Sequence, residues 1–475
     1  LILTCSKTQD WIKRVISFFF KLNPFEMTKF SDSQFFQPYR SNILYIAFIF
    51  FIVLSIPYDS NLLKDSSLAD LLSLENWFEL ATYRTSFIPE SPFVGTDVRG
   101  YYNWLIALGI ALVTILIFGR KLRQTVQVDD EILFYWLRVL LRYRLALAIT
   151  FIGLVKIIPI QLPEPTLSEL HTEYGDFLLW KLYYLTNGIA TAGYLPVIGA
   201  LEILGGLFLL NRRTAIIGSG LLVAVLLNVV IVNYVYEIGE QVYSSFLLLL
   251  AVVIFSYDWP RFYRLLIKKT ATIPDGFWPV YGRRIAAIRP FLQVFFLLLI
   301  AVFSVQAYLS WKNSDYPFPD EGGLEGAAGV YNVKEFVWKG DTIAYSLKDT
   351  LRWKDVVFEK WNTISIRGNH PVKVDSLKPR IAFNRERNYE CLGNGGREFF
   401  GYSLNKGKDK QPTHIKLIGK VSQGHTFSFA VNRPDKATLL LEGTNHLGDS
   451  LHVRLEKVNK RYLLHEGRRK PIRIY

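Results

Sequence analysis

One lysine interrupts the apolar run "LAITFIGLVKIIPIQLPEP" (147–165), and it is Lys156. The next apolar run, "YLPVIGALEILGGLFLL", carries Glu202, and the one after it carries Asn228 and Asn233. Glu237, Glu240 and Gln241 stand at the end of that third run. Ionisable groups inside apolar helices are costly and mark pairs, pathways or binding sites. Lys156 alone has a simple reading, a side chain that snorkels to the headgroups from near a helix end. Glu202 does not, because a carboxylate near the middle of an apolar helix must be protonated or paired. Lys156 is the cation at similar depth. A Lys156–Glu202 pair, with amide hydrogen bonds from Asn228, would satisfy both. It would either fix the packing of the helices, hold a polar head group or pass protons, and the sequence leaves these open.

Other residue patterns exclude chemistry. Cys5 and Cys391 lack CxxC spacing, so neither a thioredoxin-like site nor a thiolate metal site is expected. The histidines lie outside the apolar runs, which argues against a haem held between helices. His370, His414, His425, His446, His452 and His465 lack ligand-like spacing, and no metal site is expected. "CLGNGGREFFG" (391–401) superficially resembles a phosphate loop, but no helix pattern follows, and it reads as an ordinary loop. Gly199, Gly205 and Gly206 share one helix at a spacing that lets helix backbones approach closely.

The elements that must position these residues follow from composition. Half of the 475 residues are hydrophobic and the mean hydropathy is +0.19, which suits a membrane part joined to a sizeable soluble part. The net charge of +14 points first to topology and anionic lipid, and no nucleic-acid motif accompanies it. Seven apolar stretches are expected as membrane spans, at about 42–57, 102–118, 140–159, 194–210, 215–234, 243–257 and 290–310. Arg120, Lys121, Arg123, Arg138, Arg142, Arg144, Arg212, Arg213 and the basic loop 261–289 fall on one side when the spans alternate. That side is expected to be cytoplasmic, with the N-terminus inside and everything after Ser310 outside. The loop 58–101 is expected outside with some helix, and 177–192 at the outer interface, with Trp180, Tyr183 and Tyr184 as belt residues.

The expected domains are an N-terminal segment 1–41, with translation expected to start at Met27, accessory helices 42–139, a four-helix bundle 140–264, a loop and last helix 265–310, a linker 311–329 and a β-domain 330–475. In the last of these, short alternating runs such as "HIKLIGKV" and "SLHVRLEKV" are separated by turn signals such as "RPDK". Eight to ten strands are expected, as a closed lipocalin-like up-and-down barrel or a small sandwich.

From about Arg142 to Arg264 the chain resembles the DoxX family of bacterial four-helix membrane proteins. The resemblance rests on "YRLALAITFIGLVKIIP", "GALEILGGLFLLNRRTAIIG" and "LLNVVIVNYVYEIGEQVYSSFLLLLAVVIFSYDWPR". The extra helices and β-domain are similar to longer DoxX-like proteins of Bacteroidetes, although "GVYNVKEF" lacks the Gly-x-Trp hallmark of lipocalins. The resemblance implies a polytopic α-helical inner-membrane protein with a periplasmic β-domain. Some relatives are subunits of quinone-linked oxidoreductases, and Lys156, Glu202 and Asn228 match positions that would serve such a role. With no catalytic constellation visible, the expected function is a non-catalytic component of an envelope complex that binds a ligand or protein partner. The alternative is a quinone-binding subunit of an oxidoreductase. The expected partners are the lipid bilayer and an envelope protein, with no nucleic acid; quinone is the one cofactor the resemblance suggests.

Overall fold

A computed structural model describes residues 40–57, 74–88, 99–126, 130–189, 193–272, 283–314, 318–319, 321–376, 389–405 and 413–464. Met27 and the expected N-terminal segment up to residue 39 lie outside them, as do His465 and residues 58–73 and 89–98 of loop 58–101. The helices are α1 (Arg40–Leu54), α2 (Leu74–Ala81), α3 (Gly100–Val126), α4 (Asp130–Ile157), α5 (Leu167–Leu170), α6 (Leu179–Gly188), α7 (Tyr194–Leu210), α8 (Ala215–Val235), α9 (Gln241–Ser256), α10 (Trp259–Leu266) and α11 (Arg283–Ser314). Each of the seven apolar stretches is therefore helical, and α11 runs four residues past the expected start of the linker.

The seven-span expectation is nevertheless not supported. Among the described residues three helices are long and apolar enough to cross a membrane, at Gly100–Gly119, Ala215–Val235 and Pro290–Asn313. A fourth qualifies if α9 and α10, bent by 63°, form one span. The physical reason is length and charge. A bilayer core needs about 20 apolar residues, and α7 has 17 and α1 15. Helix α4 is long enough but carries Arg138, Arg142, Arg144 and Lys156.

The topology reading has those arginines flank a span; in the structure they lie within α4. All three are buried. Arg142 Nε donates to the carbonyl of Leu209 at 2.6 Å, and Arg144 donates to the carbonyls of Ala81 and Tyr83 and lies 3.9 Å over the Tyr83 ring. Arg138 reaches Asp258 at 3.3 Å and the Tyr257 ring at 3.6 Å. Carbonyls and aromatic faces do here what water does at a surface.

Helices α4 and α7 pack closely because glycines face glycines. A Cβ on Gly153 would lie 2.6 Å from the carbonyl oxygen of Gly199, and one on Gly199 would lie 2.5 Å from that of Gly153. Gly206 repeats the arrangement against Thr150 and Ala146, and Gly205 against Leu222 of α8, as the small-residue spacing predicts. Gly153→Val is therefore expected to force the helices apart and cost about 3 kcal/mol, the upper range for overpacking. A thermal melt in detergent checks this, and a loss under about 1 kcal/mol would contradict the close packing.

The β-domain is a barrel, not a sandwich. Its strands are β1 (Gly329–Trp338), β2 (Asp341–Thr342), β3 (Asp355–Phe358), β4 (Thr363–Arg367), β5 (Glu398–Asn405), β6 (Thr413–Gly419), β7 (Thr426–Asn432), β8 (Thr438–Asn445) and β9 (Ser450–Lys457). Neighbours pair antiparallel from β3 to β9, and β1 pairs with both β3 and β9. Eight strands thus close on themselves, and β2 is a two-residue extension against the end of β1. Closure removes the exposed edges. Strands such as β6 alternate, with Ile415 and Leu417 buried inside and His414 and Lys416 exposed. The interior is filled by side chains, among them Tyr331, Phe336, Phe358, Phe400 and Phe429, as suits an eight-stranded barrel. Strands β3 and β4 break the alternation: "DVVF" and "TISIR" are buried almost throughout. Something covers their outer face, and it is the segment that follows α4.

Candidate functional site

A cavity of about 450 Å³ lies where α4, α7, α8 and α9 meet α2 and the segment around Gln161 and Tyr183. Of the seven polar residues named from the sequence, Lys156, Glu202, Asn228, Asn233 and Glu240 line it, and Gln241 does not. Neither does Glu237. It sits exposed in the turn after α8 with φ +51°, and Glu240 lines the cavity in its place. Most of the remaining lining is apolar, with Ile198, Val225 and Val229 among it. An apolar pocket of this size with few convergent polar groups is the usual form of a small-molecule site.

The ion pair in its wall follows from the glycines. Gly153 is three residues before Lys156, and Gly199 is three residues before Glu202. Residues three apart share a helix face, so the glycine contact that joins α4 to α7 also brings Lys156 to Glu202. Lys156 Nζ donates to Glu202 Oε1. The Glu202 side chain is 1% exposed, and its Oε2 is buried with no hydrogen-bond partner among the described residues. The expected Asn228 hydrogen bonds to the pair are absent: Asn228 is exposed on α8 while lining the cavity. Asn233 does structural work instead, donating to Ser244 Oγ at 2.8 Å and so tying α8 to α9. A second ion pair, Arg84 with Glu240, borders the cavity, and Arg84 lies 4.6 Å over the Tyr243 ring.

A polar interface that sequence reasoning missed joins the barrel to the helices. The residues after α4 fold back as α5 and α6, and α5 covers the outer face of β3 and β4. Ser168 donates to Glu359 Oε1 through both its backbone N (2.7 Å) and its Oγ (2.6 Å), and Ser365 Oγ donates to Ser168 Oγ at 2.7 Å. Burial pushes the Glu359 carboxyl up to about 7, against the downward pull of the Ser168 hydrogen bonds. Arg397, wholly buried, reaches Asp355 at 2.6 Å and the His171 carbonyl at 3.2 Å. Burial lowers the pKa of Arg397. Burial also lowers the His171 imidazole, to about 4.

Lys181 is as fully enclosed as Arg397. It is 0% exposed, lies 2.6 Å from Glu169 Oε1, donates to the Tyr389 carbonyl at 2.8 Å and sits 3.9 Å over the Tyr389 ring. Glu169 also completes a capping box with Thr166. The spacing Thr166-x-x-Glu169 was the one local signal for this region. Trp180 and Tyr184, expected as belt residues, are buried instead in a cluster with Phe318, Tyr389 and Leu392.

The loop "CLGNGGREFFG" is a clamp on this interface, with no phosphate cradle. Leu178 N donates to the Gly393 carbonyl at 2.9 Å and Gly395 N to the Asp176 carbonyl at 2.8 Å. Gly393 has φ +67°, and a Cβ there would lie 2.7 Å from the Trp180 ring, so both conformation and space call for glycine. Burial raises the Cys391 thiol to about 12, which leaves it unreactive. Glu390 beside it accepts from Trp361 Nε1 (2.6 Å) and Thr363 Oγ1 (2.7 Å) and pairs with Lys420.

Neither a family model nor a solved structure matches this chain. Among curated proteins it is similar to the "Uncharacterized protein YwoB" of Bacillus subtilis (strain 168), with 30% identity over 123 residues. The match covers 25% of this chain and 77% of that protein, and over this part of its length the chain belongs to the same family as YwoB.

Proposed function

We propose that the protein is a ligand-binding, non-catalytic component of a membrane complex in the bacterial envelope, with a helical part that holds an amphiphilic molecule and a barrel that faces an envelope protein. The observation that carries this reading is the mostly apolar cavity with a buried ion pair in its wall, one carboxylate oxygen of which has no hydrogen-bond partner among the described residues. Keeping two charges in an apolar site is costly. A cavity beside them gives that cost a purpose. The test is to extract the protein from its own membranes, identify co-purifying small molecules, and repeat with Val229→Trp, which fills the cavity. Occupancy is expected to fall at least tenfold; an unchanged profile would sink the reading.

A second reading, suggested by the resemblance to DoxX proteins, is a quinone-binding subunit of an oxidoreductase complex. The free oxygen of Glu202 beside apolar lining favours it, because a quinone head needs a proton carrier nearby. Glu202→Gln should then abolish retained quinone. If neither form retains quinone and the substitution lowers only thermal stability, this reading is lost.

The proposed setting is the inner membrane, with seven crossings, a cytoplasmic N-terminus and a periplasmic barrel. The shorter α1, α7 and α9 would cross where packing against neighbours thins the bilayer. A reporter fused after Tyr475 is expected to be active only in the periplasm, and cytoplasmic activity would overturn the arrangement.

A further inference from the structure

Among the residues that line the cavity, acidic side chains outnumber basic ones. Its acidic lining residues are Glu79, Glu202 and Glu240, and its basic ones are Arg84 and Lys156. Arg84 is paired with Glu240, and Lys156 with one oxygen of Glu202. Glu79 has no hydrogen-bond or ion-pair partner among the described residues. Further lining oxygens are buried with no hydrogen-bond partner among the described residues, including Glu202 Oε2, the side-chain oxygen of Gln161 and the Tyr243 hydroxyl. The Glu79 carboxylate and the Glu202 and Gln161 oxygens only accept, so a ligand must bring donors to them, while Lys156, Asn228 and the Tyr243 hydroxyl have N–H or O–H groups to give.

The cavity also reaches the flank of α8. Ala224 and Asn228 line it and are exposed on that helix, next to exposed Leu227 and Ile231. Helix α8 is one of the helices apolar enough to cross a membrane. A molecule that enters along it comes from the bilayer, and its apolar part can stay there while the head is held inside.

Resting on the ligand-binding reading above, we infer that the cavity takes the head of a lipid that bears a primary ammonium, of the phosphoethanolamine type. An ammonium presents three N–H donors and no acceptor, which matches a carboxylate without a counter-ion and two further orphaned oxygens. The phosphate of the same head meets the remaining N–H groups of Lys156 and the Asn228 amide. A quinone carbonyl or a fatty-acid carboxylate brings acceptors to acceptors and leaves Glu79 uncompensated. A quaternary head keeps the charge but has no donors.

The test uses the full-length protein in a neutral detergent and native mass spectrometry with three added lipids: phosphatidylethanolamine, phosphatidylcholine and phosphatidylglycerol. The wild type is expected to bind phosphatidylethanolamine at least about tenfold more tightly than either of the others, a difference of about 1.4 kcal/mol. Glu79→Gln is expected to erase that preference. Glu79 has no partner to lose, so the substitution removes no contact of the fold, and an unchanged melting temperature verifies it. Equal binding of the ethanolamine and choline lipids, or a preference for phosphatidylglycerol that Glu79→Gln leaves alone, overturns the ammonium inference while leaving a ligand cavity. Binding of none of the three, together with no effect of Val229→Trp on co-purifying molecules, overturns both.

Discussion

Replacing Lys181 by methionine is expected to cost about 3–5 kcal/mol, because it leaves a buried carboxylate without its cation. Lys181 and Glu169 are 0% and 1% exposed, so neither solvent nor salt screens the loss. The donor to the Tyr389 carbonyl goes with it. The damage should be local to the junction: hydrogen exchange is expected to rise at 166–181 and 391–397 while the barrel interior stays protected. Adding Glu169→Gln should recover more than half of the loss, because glutamine removes the stranded charge and keeps an oxygen for the Thr166 N–H. A loss below about 1 kcal/mol, or no recovery in the double variant, would show that the pair is not what holds the junction.

The second large effect concerns pH. Glu359 titrates at about 7 in the folded protein against an ordinary 4.5. Between those values the folded state holds a proton that the unfolded state has released, so this group makes stability fall as pH rises from about 4.5 to 7. The full effect is on the order of 3 kcal/mol above pH 7. His171 acts in the opposite sense. Its pKa falls to about 4 from 6.5, so its contribution makes stability rise as pH rises through that window. The difference between wild type and Glu359→Gln isolates the carboxylate. The variant is expected to be more stable at pH 8 by up to about 3 kcal/mol and equal near pH 4, since its side-chain oxygen still accepts from Ser168. Denaturant melts across pH 4–8 check this, and parallel curves at all pH values would refute it.

How much of this was legible beforehand depended on the range of the interaction. Lys156 and Glu202 could be paired from sequence because an apolar helix offers so few alternatives to each. The glycines three residues before each of them carry the same information. The Asn228 hydrogen bonds failed because the helix phase of α8 leaves that residue exposed while it lines the cavity. The burial of Arg142 and Arg144 was not readable, because composition cannot tell a charge in water from one held by carbonyls. The barrel was readable from alternation, and β3 and β4 depart from it where α5 covers them. The junction itself was not readable. Ser168 finds Glu359, and His171 finds Arg397, across about 200 residues of chain. Such contacts leave no local periodicity.

The closing pair of strands, β1 and β9, sets how the barrel is tethered. Tyr331 lies opposite Lys457, so the chain enters and leaves the barrel at neighbouring positions. Its covalent link to α11 spans only the residues between Ser314 and Gly329. A tether that short sets an effective concentration in the millimolar range for the clamp. The clamp therefore need not be strong in absolute terms to stay shut, and every kilocalorie taken from it appears as transient opening in place, with the barrel always close enough to re-dock.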